Sequence, residues 1–476
     1  DSLIVSSGAT ANATAAGAWT ATASTSSAGT ATITASGFNL NVSAATGASG
    51  WTLTNNGNST WVSLIGSSNS DVLTGGSGND TLVGGAGNDT VTGGAGNDTF
   101  TVASGTDTIT DLGDGIDILS VSAGATASAT AVGAWTATVS SLNAGTASIT
   151  ASGFSINVSA VTGASGWTLT NSGNATAVTL TGSANADILT GGTNADTLIG
   201  GAGNDSLTGG AGNDTFTVGS GTDTISDLGN GVDILNVSVG ATANSTAAGA
   251  WTATASSSNA GTASITASGF SINVSAATGA SGWTLTNSGN ATAVTLTGSA
   301  NNDTLTGGTN ADTLVGGAGN DSLTAGAGID TFTVDAGTDT ITDLGNGGAD
   351  ILNVSARATA NATAAGAWTA TASTSNAGTA SITASGFNIN VSAATGSSGW
   401  TMTNSGNATA VTLTGSTNQD IITGGTNADT LNGGGGDDIL DGGAGTDTVS
   451  YASATSGVTV NLATTTSQNT VGAGSD

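Results

Sequence analysis

The sequence from Gly66 to Thr110 consists of consecutive nine-residue frames, and this period constrains the fold more than any other feature. The frames read GSSNSDVLT, GGSGNDTLV, GGAGNDTVT, GGAGNDTFT and VASGTDTIT. The sixth place is always aspartate and the eighth is always a large apolar residue, such as Asp89 and Val91 in the third frame. A Gly/Asn/Asp-rich linker has no reason to place an aspartate at every ninth residue, so the period indicates ordered structure.

Each frame predicts a tight turn followed by a very short strand. Glycines such as Gly84, Gly85 and Gly87 permit φ > 0 and close backbone approach, so the turn carbonyls can face inward. The aspartate adds a hard carboxylate oxygen, which suits Ca²⁺ with its about six to eight oxygen ligands. The last three residues alternate, so Val91 points into a core while its threonine neighbours point out. One frame can neither bury its apolar residue nor complete a calcium site, so the frames must stack.

The composition makes folding depend on a cation. The chain has 31 acidic residues, all aspartate, against one arginine and no lysine, which gives a net charge of −30. Leu, Ile, Val and Phe make up 84 of the 476 residues. That share is below the roughly one fifth under which a highly charged chain is expected to be disordered. Folding therefore requires a cation that neutralises the aspartates. Ca²⁺ is the candidate, and its binding free energy then becomes part of the folding free energy.

The same composition excludes several function classes. Without cysteine there is no disulfide framework and no thiol or zinc–thiolate site. One cationic side chain cannot neutralise nucleic-acid phosphates and leaves the surface repelled by anionic lipid. No apolar run approaches the ~20 residues of a membrane span. Without histidine, lysine, cysteine or glutamate, only aspartates assigned to metal could serve as acid or base, so we expect no enzyme.

The chain is a tandem array in which two tryptophan registers repeat together. Trp19, Trp135, Trp251 and Trp368 recur at intervals of 116, 116 and 117 residues, and Trp51, Trp167, Trp283 and Trp400 recur at the same intervals. We expect these tryptophans to fill the core at the corners of the coils. The alternative is that they form platforms for a ligand. Each unit has an uncharged half and an aspartate half, called a block below. The predicted segments are 1–65 uncharged, 66–119 first block, 120–181 uncharged, 182–235 second block, 236–297 uncharged, 298–352 third block, 353–414 uncharged, 415–450 fourth block, and 451–476 the start of a further β segment of a longer protein.

The uncharged halves carry a strand pattern, and the second and third of them contain no ionisable side chain. Phe154-Ser155-Ile156-Asn157-Val158 alternates between apolar and polar residues, and no helical stripe is present. Two interpretations are open: a solenoid that continues without calcium, or a small separate β-module. Continuation is favoured because large apolar residues are too few for an independent two-sheet core.

The frames resemble the calcium-binding repeats of the repeats-in-toxin (RTX) family. The resemblance implies an all-β, right-handed parallel β-solenoid of calcium β-roll blocks alternating with uncharged β-helical segments. It also implies multiple Ca²⁺ ions as cofactor, unfolded export by type I secretion, and an extracellular or cell-surface location in bacteria. The frame residues that we predict as metal-binding are Asp71, Asp80, Asp89, Asp98, Asp107, Asp187, Asp196, Asp205, Asp214, Asp223, Asp303, Asp312, Asp321, Asp330, Asp339, Asp420, Asp429, Asp438 and Asp447, with the turn glycines Gly76, Gly78, Gly85, Gly87, Gly94, Gly96, Gly201, Gly203, Gly210, Gly212, Gly317, Gly319, Gly434, Gly436, Gly443 and Gly445.

Some frames depart from this pattern. GGTNADTLI (191–199) has Asn194 at the third-glycine place, where we expect the left-handed conformation that Asn tolerates better than most residues. After the fifth frame, DLGDGIDIL and its two counterparts resemble the D-x-x-G-x-D-x-L segment that closes RTX blocks. They place a further set of aspartates at the block edge: Asp111, Asp117, Asp227, Asp233, Asp343 and Asp350. These aspartates either bind calcium there or belong to a turn that only ends the stack.

The resemblance favours a structural function. The Thr-, Ala-, Gly-, Ser- and Asn-rich composition also resembles RTX-type bacterial surface-layer proteins and large surface fibres. We therefore expect a calcium-dependent surface layer or filament assembled from copies of this chain, with cell-surface polysaccharide as another partner. The alternatives are an extender region of a large RTX adhesin and a non-catalytic RTX region of a secreted enzyme. Ice binding through Thr/Asn rows is disfavoured, because GGTNAD occurs once per block and not as an uninterrupted ladder.

Two local exceptions to the repeat carry hypotheses. The strand Trp61-Val62-Ser63-Leu64-Ile65 replaces Ala-Val-Thr-Leu-Thr of the other units, and alternation turns Trp61 and Ile65 outward. These two side chains either form a contact with another chain or part of the protein, or reflect repeat drift. Arg357 stands where the other units have glycine, and its guanidinium either meets a carboxylate or is solvated.

Composition alone predicts calcium-conditional folding. The β-type far-ultraviolet circular dichroism of the chain should appear with calcium and be lost in excess EGTA at low salt. Each site that binds only the native state adds about RT ln(1 + [Ca²⁺]/Kd) to stability. A β spectrum that persists in chelator for the unassembled chain would contradict this expectation.

Overall fold

The computed structural model describes residues 1–455 and 457–460, in two compact units, Asp1–Ala243 and Asn244–Asp476. Each unit is a parallel β-solenoid of stacked coils, and the described residues contain strands and turns but no helix. This confirms the all-β parallel solenoid expected from the nine-residue period. The further segment expected at 451–476 lies mostly outside the described residues.

Unit 1 is built from two rows of short parallel strands on opposite sides of a narrow core, joined by turns. The first row contains Thr10–Thr14, Thr30–Thr34, Trp51–Thr54, Val72–Gly76, Thr90–Gly94, Thr106–Leu112, Thr126–Ala131, Thr146–Thr150, Trp167–Thr170, Ile188–Thr190, Ser206–Thr208 and Thr222–Leu228. The opposite row contains Trp19–Thr20, Leu40–Asn41, Ser63–Ile65, Thr81–Val83, Thr99–Val102, Ile118–Val121 and Leu142–Asn143, then Trp135–Thr136, Ile156–Asn157, Thr179–Thr181, Thr197–Ile199, Thr215–Val218 and Ile234–Val237, with Ile4–Val5 paired to Ser26–Ser27.

Unit 2 repeats the same arrangement. Its first row contains Thr262–Thr266, Trp283–Thr286, Thr304–Thr306, Ser322–Thr324, Thr338–Leu344, Thr359–Ala364, Thr379–Thr383, Trp400–Thr403, Ile421–Thr423 and Ile439–Asp441. The opposite row contains Trp251–Thr252, Ile272–Asn273, Thr295–Thr297, Thr313–Val315, Thr331–Val334, Ile351–Val354, Ser375–Asn376 and Thr395–Gly396, then Trp368–Thr369, Ile389–Asn390, Thr412–Thr414, Thr430–Asn432 and Thr448–Val449. The remaining strands are Thr242–Ala247 and Ser258–Asn259.

The uncharged halves continue the solenoid, but with longer coils than the blocks. Within the first block Leu82 pairs with Phe100, so two frames make one coil. In the uncharged halves Ile33 pairs with Leu53, and Ile156 pairs with Leu180. Both pairs join residues that lie farther apart in the sequence than two frames. Strand pairing therefore supports continuation over a separate module, and the added residues lie in the turns.

The core is a thin column of apolar side chains from the inward strand positions. In the blocks the inward residues are mostly Leu, Ile, Val and Phe, and Leu73, Leu82 and Phe100 are at most 1% exposed. In the uncharged halves the inward residues include many alanines and the tryptophans, together with Ile, Val and Leu. Seven tryptophans are fully buried, and Trp135 and Trp167 lie with ring centroids 6.0 Å apart. The tryptophans of the two repeating registers therefore fill the core as expected, apart from Trp19 in the first coil, which is part-exposed.

Arg357 lies in the left-handed region with φ of 73°, where Gly8, Gly124 and Gly240 have φ of 75°, 79° and 77°. Its side chain is exposed, which favours the solvated interpretation. A methyl group built on any of the three glycines meets no atom within 4 Å, so only the backbone conformation distinguishes arginine from glycine here.

Arg357→Gly should stabilise the calcium-loaded chain. A non-glycine residue at positive φ costs about 1–2 kcal/mol, partly offset by the larger unfolded-state entropy of glycine. We expect a net gain of about 0.5–1 kcal/mol, measured as a higher midpoint of thermal unfolding in saturating calcium. Gly124→Arg is the matched control and should lower the midpoint; equal midpoints for wild type and both variants would contradict the argument.

Candidate calcium-binding turns

The sixth-place aspartates form ladders along the axis of each solenoid. The N–H of Asp71 donates to Oδ1 of Asp89 at 2.8 Å, and the N–H of Asp89 donates to Oδ1 of Asp107 at 3.0 Å. A second ladder runs through the alternate turns, from Asp80 to Asp98 at 2.7 Å. Each carboxylate is thereby fixed against the coil before it, and consecutive carboxylates of one ladder are one coil apart.

Each block begins where a tryptophan backbone meets the first aspartate. The N–H of Trp51 donates to Oδ1 of Asp71, and the N–H of Trp167 donates likewise to Asp187. The Oδ2 atom of Asp71 accepts the N–H and hydroxyl of Ser67. The first carboxylate of each ladder is therefore satisfied by hydrogen bonds inside the protein.

Further along the ladders the second carboxylate oxygen has no donor. In the described part of the chain, the Oδ2 atoms that are buried without a hydrogen-bond partner include those of Asp89, Asp98, Asp107, Asp205, Asp214, Asp223, Asp321, Asp330 and Asp339. A buried ionised oxygen without a partner carries a large desolvation cost. These positions therefore need a proton or a cation.

The glycines bring the backbone of the turns close to the carboxylate oxygens. A methyl group on Gly84 would lie 2.2 Å from Oδ2 of Asp89, so this place requires the absence of a side chain. A methyl group on Gly75 would lie 2.2 Å from the carbonyl oxygen of Gly93 and 2.4 Å from Oδ2 of Asp80. Backbone carbonyls and carboxylates thus line the same spaces. This hard-oxygen set fits Ca²⁺, which would be held by the ladder aspartates and the turn carbonyls.

Burial raises the pKa of these carboxyls, because removal from water disfavours the charged form. Burial, followed by the charges of Asp107 and Asp71, raises the pKa of Asp89 from 3.8 to about 7. The pKa values of the corresponding Asp205 and Asp321 are also raised to about 7, with burial again the largest cause. A bound divalent cation would reverse this effect by favouring the ionised form.

The predicted block-edge aspartates occupy two different places. Asp111 accepts hydrogen bonds from the N–H groups of Gly93 at 2.9 Å and Gly94 at 2.7 Å, so it caps a turn of the preceding coil. Asp227 and Asp343 cap the equivalent turns. Asp117 instead continues the second ladder, accepting the N–H of Asp98 at 2.9 Å. Asp233 and Asp350 continue theirs in the same way.

Two features of the turns differ from expectation. The expected left-handed conformation at Asn194 is wrong, because its φ is not positive and its side-chain amide donates to the carbonyl of Ala175. The predicted turn glycines have positive φ except Gly76 and Gly78. At Gly76 a methyl group would lie 2.1 Å from the carbonyl oxygen of Asn58, so close backbone approach explains that glycine.

Asp114 was not among the predicted site residues, yet it joins the block edge. One carboxylate oxygen from each of Asp98, Asp114 and Asp117 lies within 4.8 Å of the others. The second and third blocks have asparagine at this place, so Asp114 is not part of the repeated aspartate pattern. The signal in the sequence is the middle aspartate of DLGDGID, which DLGNGVD lacks.

The fold and these turns define a parallel β-solenoid with carboxylate-lined glycine turns, the architecture of a calcium β-roll. A family model for the RTX calcium-binding nonapeptide repeat matches residues 65–100, 74–109, 172–198, 190–225, 288–314, 306–341 and 414–449. The four aspartate blocks of this chain are therefore built from RTX calcium-binding repeats. A comparison with curated proteins finds no match.

The raised pKa values predict opposite pH dependences with and without calcium. Groups with a folded pKa of about 6–7 and an ordinary value of 3.8 stabilise the calcium-free fold fully below that ordinary value. They lose this contribution as the pH rises through about 7. The β signal of the chelated chain should therefore grow between pH 7.5 and pH 5, as followed by circular dichroism.

Folding of the chain with calcium should show the opposite pH dependence. Calcium competes with protons for the same oxygens, so the calcium concentration needed for half-maximal folding should rise as the pH falls. A chelated chain whose spectrum does not change over this pH range would contradict the assignment of the buried carboxylates.

Proposed function

We propose that this protein is an extracellular structural protein whose β-solenoid folds on binding calcium and assembles into a bacterial surface layer or filament. The observation that carries the proposal is the set of buried carboxylate oxygens without donors, repeated in the turns of the first three blocks. They make the folded state dependent on calcium, which is abundant outside cells and scarce in the cytosol. The described residues include no helix long and apolar enough to cross a membrane.

A non-catalytic role agrees with the chemistry of the chain. The sequence offers aspartate as its only carboxylate and has no histidine, lysine or cysteine. The ladder aspartates already interact with backbone amides and with one another along the axis. We infer that their work is to bind metal and stabilise the coils.

Assembly requires a surface that meets another copy, and the strand at Trp61 supplies a candidate. Val62 and Leu64 are fully buried, whereas Trp61 is 62% exposed and Ile65 is part-buried. The side chains therefore alternate as the sequence predicts. The other units have exposed alanines at the position of Trp61, namely Ala177, Ala293 and Ala410. A large apolar side chain exposed where the other units have alanine indicates a contact surface, and we propose that its partner is a second copy of this chain.

The proposal is tested by comparing the assembly of the purified chain with and without calcium. Sedimentation velocity and electron microscopy should show sheets or filaments with calcium and dispersed chains with EGTA, while circular dichroism reports folding separately. A chain that folds with calcium but stays monomeric at high concentration would favour the adhesin extender over a surface layer or filament.

Trp61→Ala should weaken assembly without weakening folding, because alanine is native at this position in the other units. Burial of the exposed part of a tryptophan contributes about 1–3 kcal/mol, so the concentration needed for assembly should rise about tenfold or more. Val139→Thr is the control, since Val139 is an exposed apolar residue elsewhere, at 74%. If wild type and Trp61→Ala assemble equally well, Trp61 is a neutral difference between the repeats and forms no assembly contact.

A further inference from the structure

The edge of the first block differs in charge from the edges of the second and third. The closing segments read DLGDGID at 111–117, DLGNGVD at 227–233 and DLGNGGAD at 343–350. Asp114 therefore stands where the other blocks have Asn230 and Asn346. The chain thus contains its own comparison between a carboxylate and an amide of nearly the same shape.

In the second and third blocks the asparagine donates a hydrogen bond to a turn of the preceding coil. The Nδ2 atom of Asn230 donates to the carbonyl oxygen of Gly210, and that of Asn346 donates to the carbonyl oxygen of Gly326 at 2.8 Å. An ionised carboxylate has no proton to donate. Asp114 therefore cannot replace this bond, whereas its carboxylate oxygens can serve as ligands to a cation.

The carboxylates at the first edge are close enough to share one ion. One oxygen from each of Asp98, Asp114 and Asp117 lies within 4.8 Å of the other two. Oxygens bound to one Ca²⁺ at about 2.3–2.6 Å are at most about 5 Å apart. The three side chains therefore match the spacing of ligands on a single calcium ion.

A second observation marks this cluster as a ligand site. Asp98 is 1% exposed, and its Oδ1 accepts the N–H of Asp80. Its Oδ2 is buried with no hydrogen-bond partner. Asp117 uses both oxygens on backbone N–H groups, from Asp98 at 2.9 Å and Gly113 at 2.8 Å, which fixes its carboxylate against the backbone of Asp98.

We propose that Asp98, Asp114 and Asp117 form a three-carboxylate calcium site at the edge of the first block, which binds Ca²⁺ more tightly than the edges of the second and third blocks. Calcium affinity rises with the number of charged ligands, and Asp114 adds one. The inference rests on calcium binding by the RTX turns and is independent of surface-layer assembly. In the other two blocks a hydrogen bond from asparagine takes the place of this third carboxylate.

A tryptophan beside the site provides a spectroscopic reporter. The Nε1 atom of Trp135 donates to the backbone carbonyl of Asp117 at 3.0 Å, and the indole is buried. Tb³⁺, which takes hard oxygen ligands as Ca²⁺ does, should emit sensitised luminescence when bound there and excited through tryptophan. Trp368 lies in the same way against the carbonyl of Asp350 in the third block, where the third carboxylate is missing.

The test is a calcium titration of the full chain and of Asp114→Asn, Asn230→Asp and the double variant. Asp114→Asn should weaken one site about tenfold and reduce terbium luminescence at low terbium. Asn230→Asp should create an additional tight site, and the double variant should retain one tight site. Both substitutions exchange residues native to the same place in other blocks, so circular dichroism in saturating calcium should be the same for all four chains.

Two results would overturn the proposal. One is an unchanged titration for Asp114→Asn, which would make Asp114 a solvated surface carboxylate. The other is an equal weakening of every calcium site, which would show that the substitution of Asp114 acts on folding of the block and not on one site. Failure of the wild-type chain to assemble would refute the surface-layer function and leave this comparison intact.

Discussion

The structure depends on one electrostatic constraint, which is that carboxylates buried in consecutive coils must be neutralised. Coils are about 4.8 Å apart along a parallel sheet, so each ladder holds like charges at close range in a poorly solvated place. Backbone N–H groups compensate one oxygen, as where Asp71 donates to Asp89. The second oxygen of Asp89 faces its own turn without a donor. A cation there would bind the turns together and make a thin apolar core sufficient, which explains how a chain so poor in large apolar residues can fold.

The coils of the uncharged halves stack without carboxylate ladders. Their coils are longer than the two-frame coils of the blocks, and tryptophan pairs supply the volume that leucine and phenylalanine supply in the blocks. Within the first unit the two kinds of coil are joined by hydrogen bonds. The N–H of Trp51 donates to Asp71 at the start of the first ladder, and the indole N–H of Trp135 donates to the carbonyl of Asp117 at the end of the second ladder. Each coil contacts mainly its neighbours, so stability is expected to add coil by coil, as in other solenoids.

Differences among the repeated units show which positions are constrained. The inward apolar places and the ladder aspartates recur because a coil cannot close without them. Outward places vary, and there the first unit carries Trp61 where the others have alanine. Arg357 is a different case, since it holds a backbone conformation that glycine adopts more easily. A turn can therefore keep an unfavourable backbone conformation, such as the positive φ of Arg357, where the neighbouring coils determine the backbone path.

The sequence alone determined the period, the inward residues and the ladder aspartates, because an apolar residue and a carboxylate at fixed places in every frame leave few ways to stack. It also indicated calcium, through net charge and oxygen chemistry. Only the tertiary structure decided how long the uncharged coils are, that Asn194 donates to Ala175 in place of adopting positive φ, and that Asp111 caps a turn while Asp114 approaches Asp98. These outcomes depend on contacts between residues about one coil apart. Residue spacing fixes which coils are neighbours, whereas the direction of each side chain is set by the backbone path of the coil beside it.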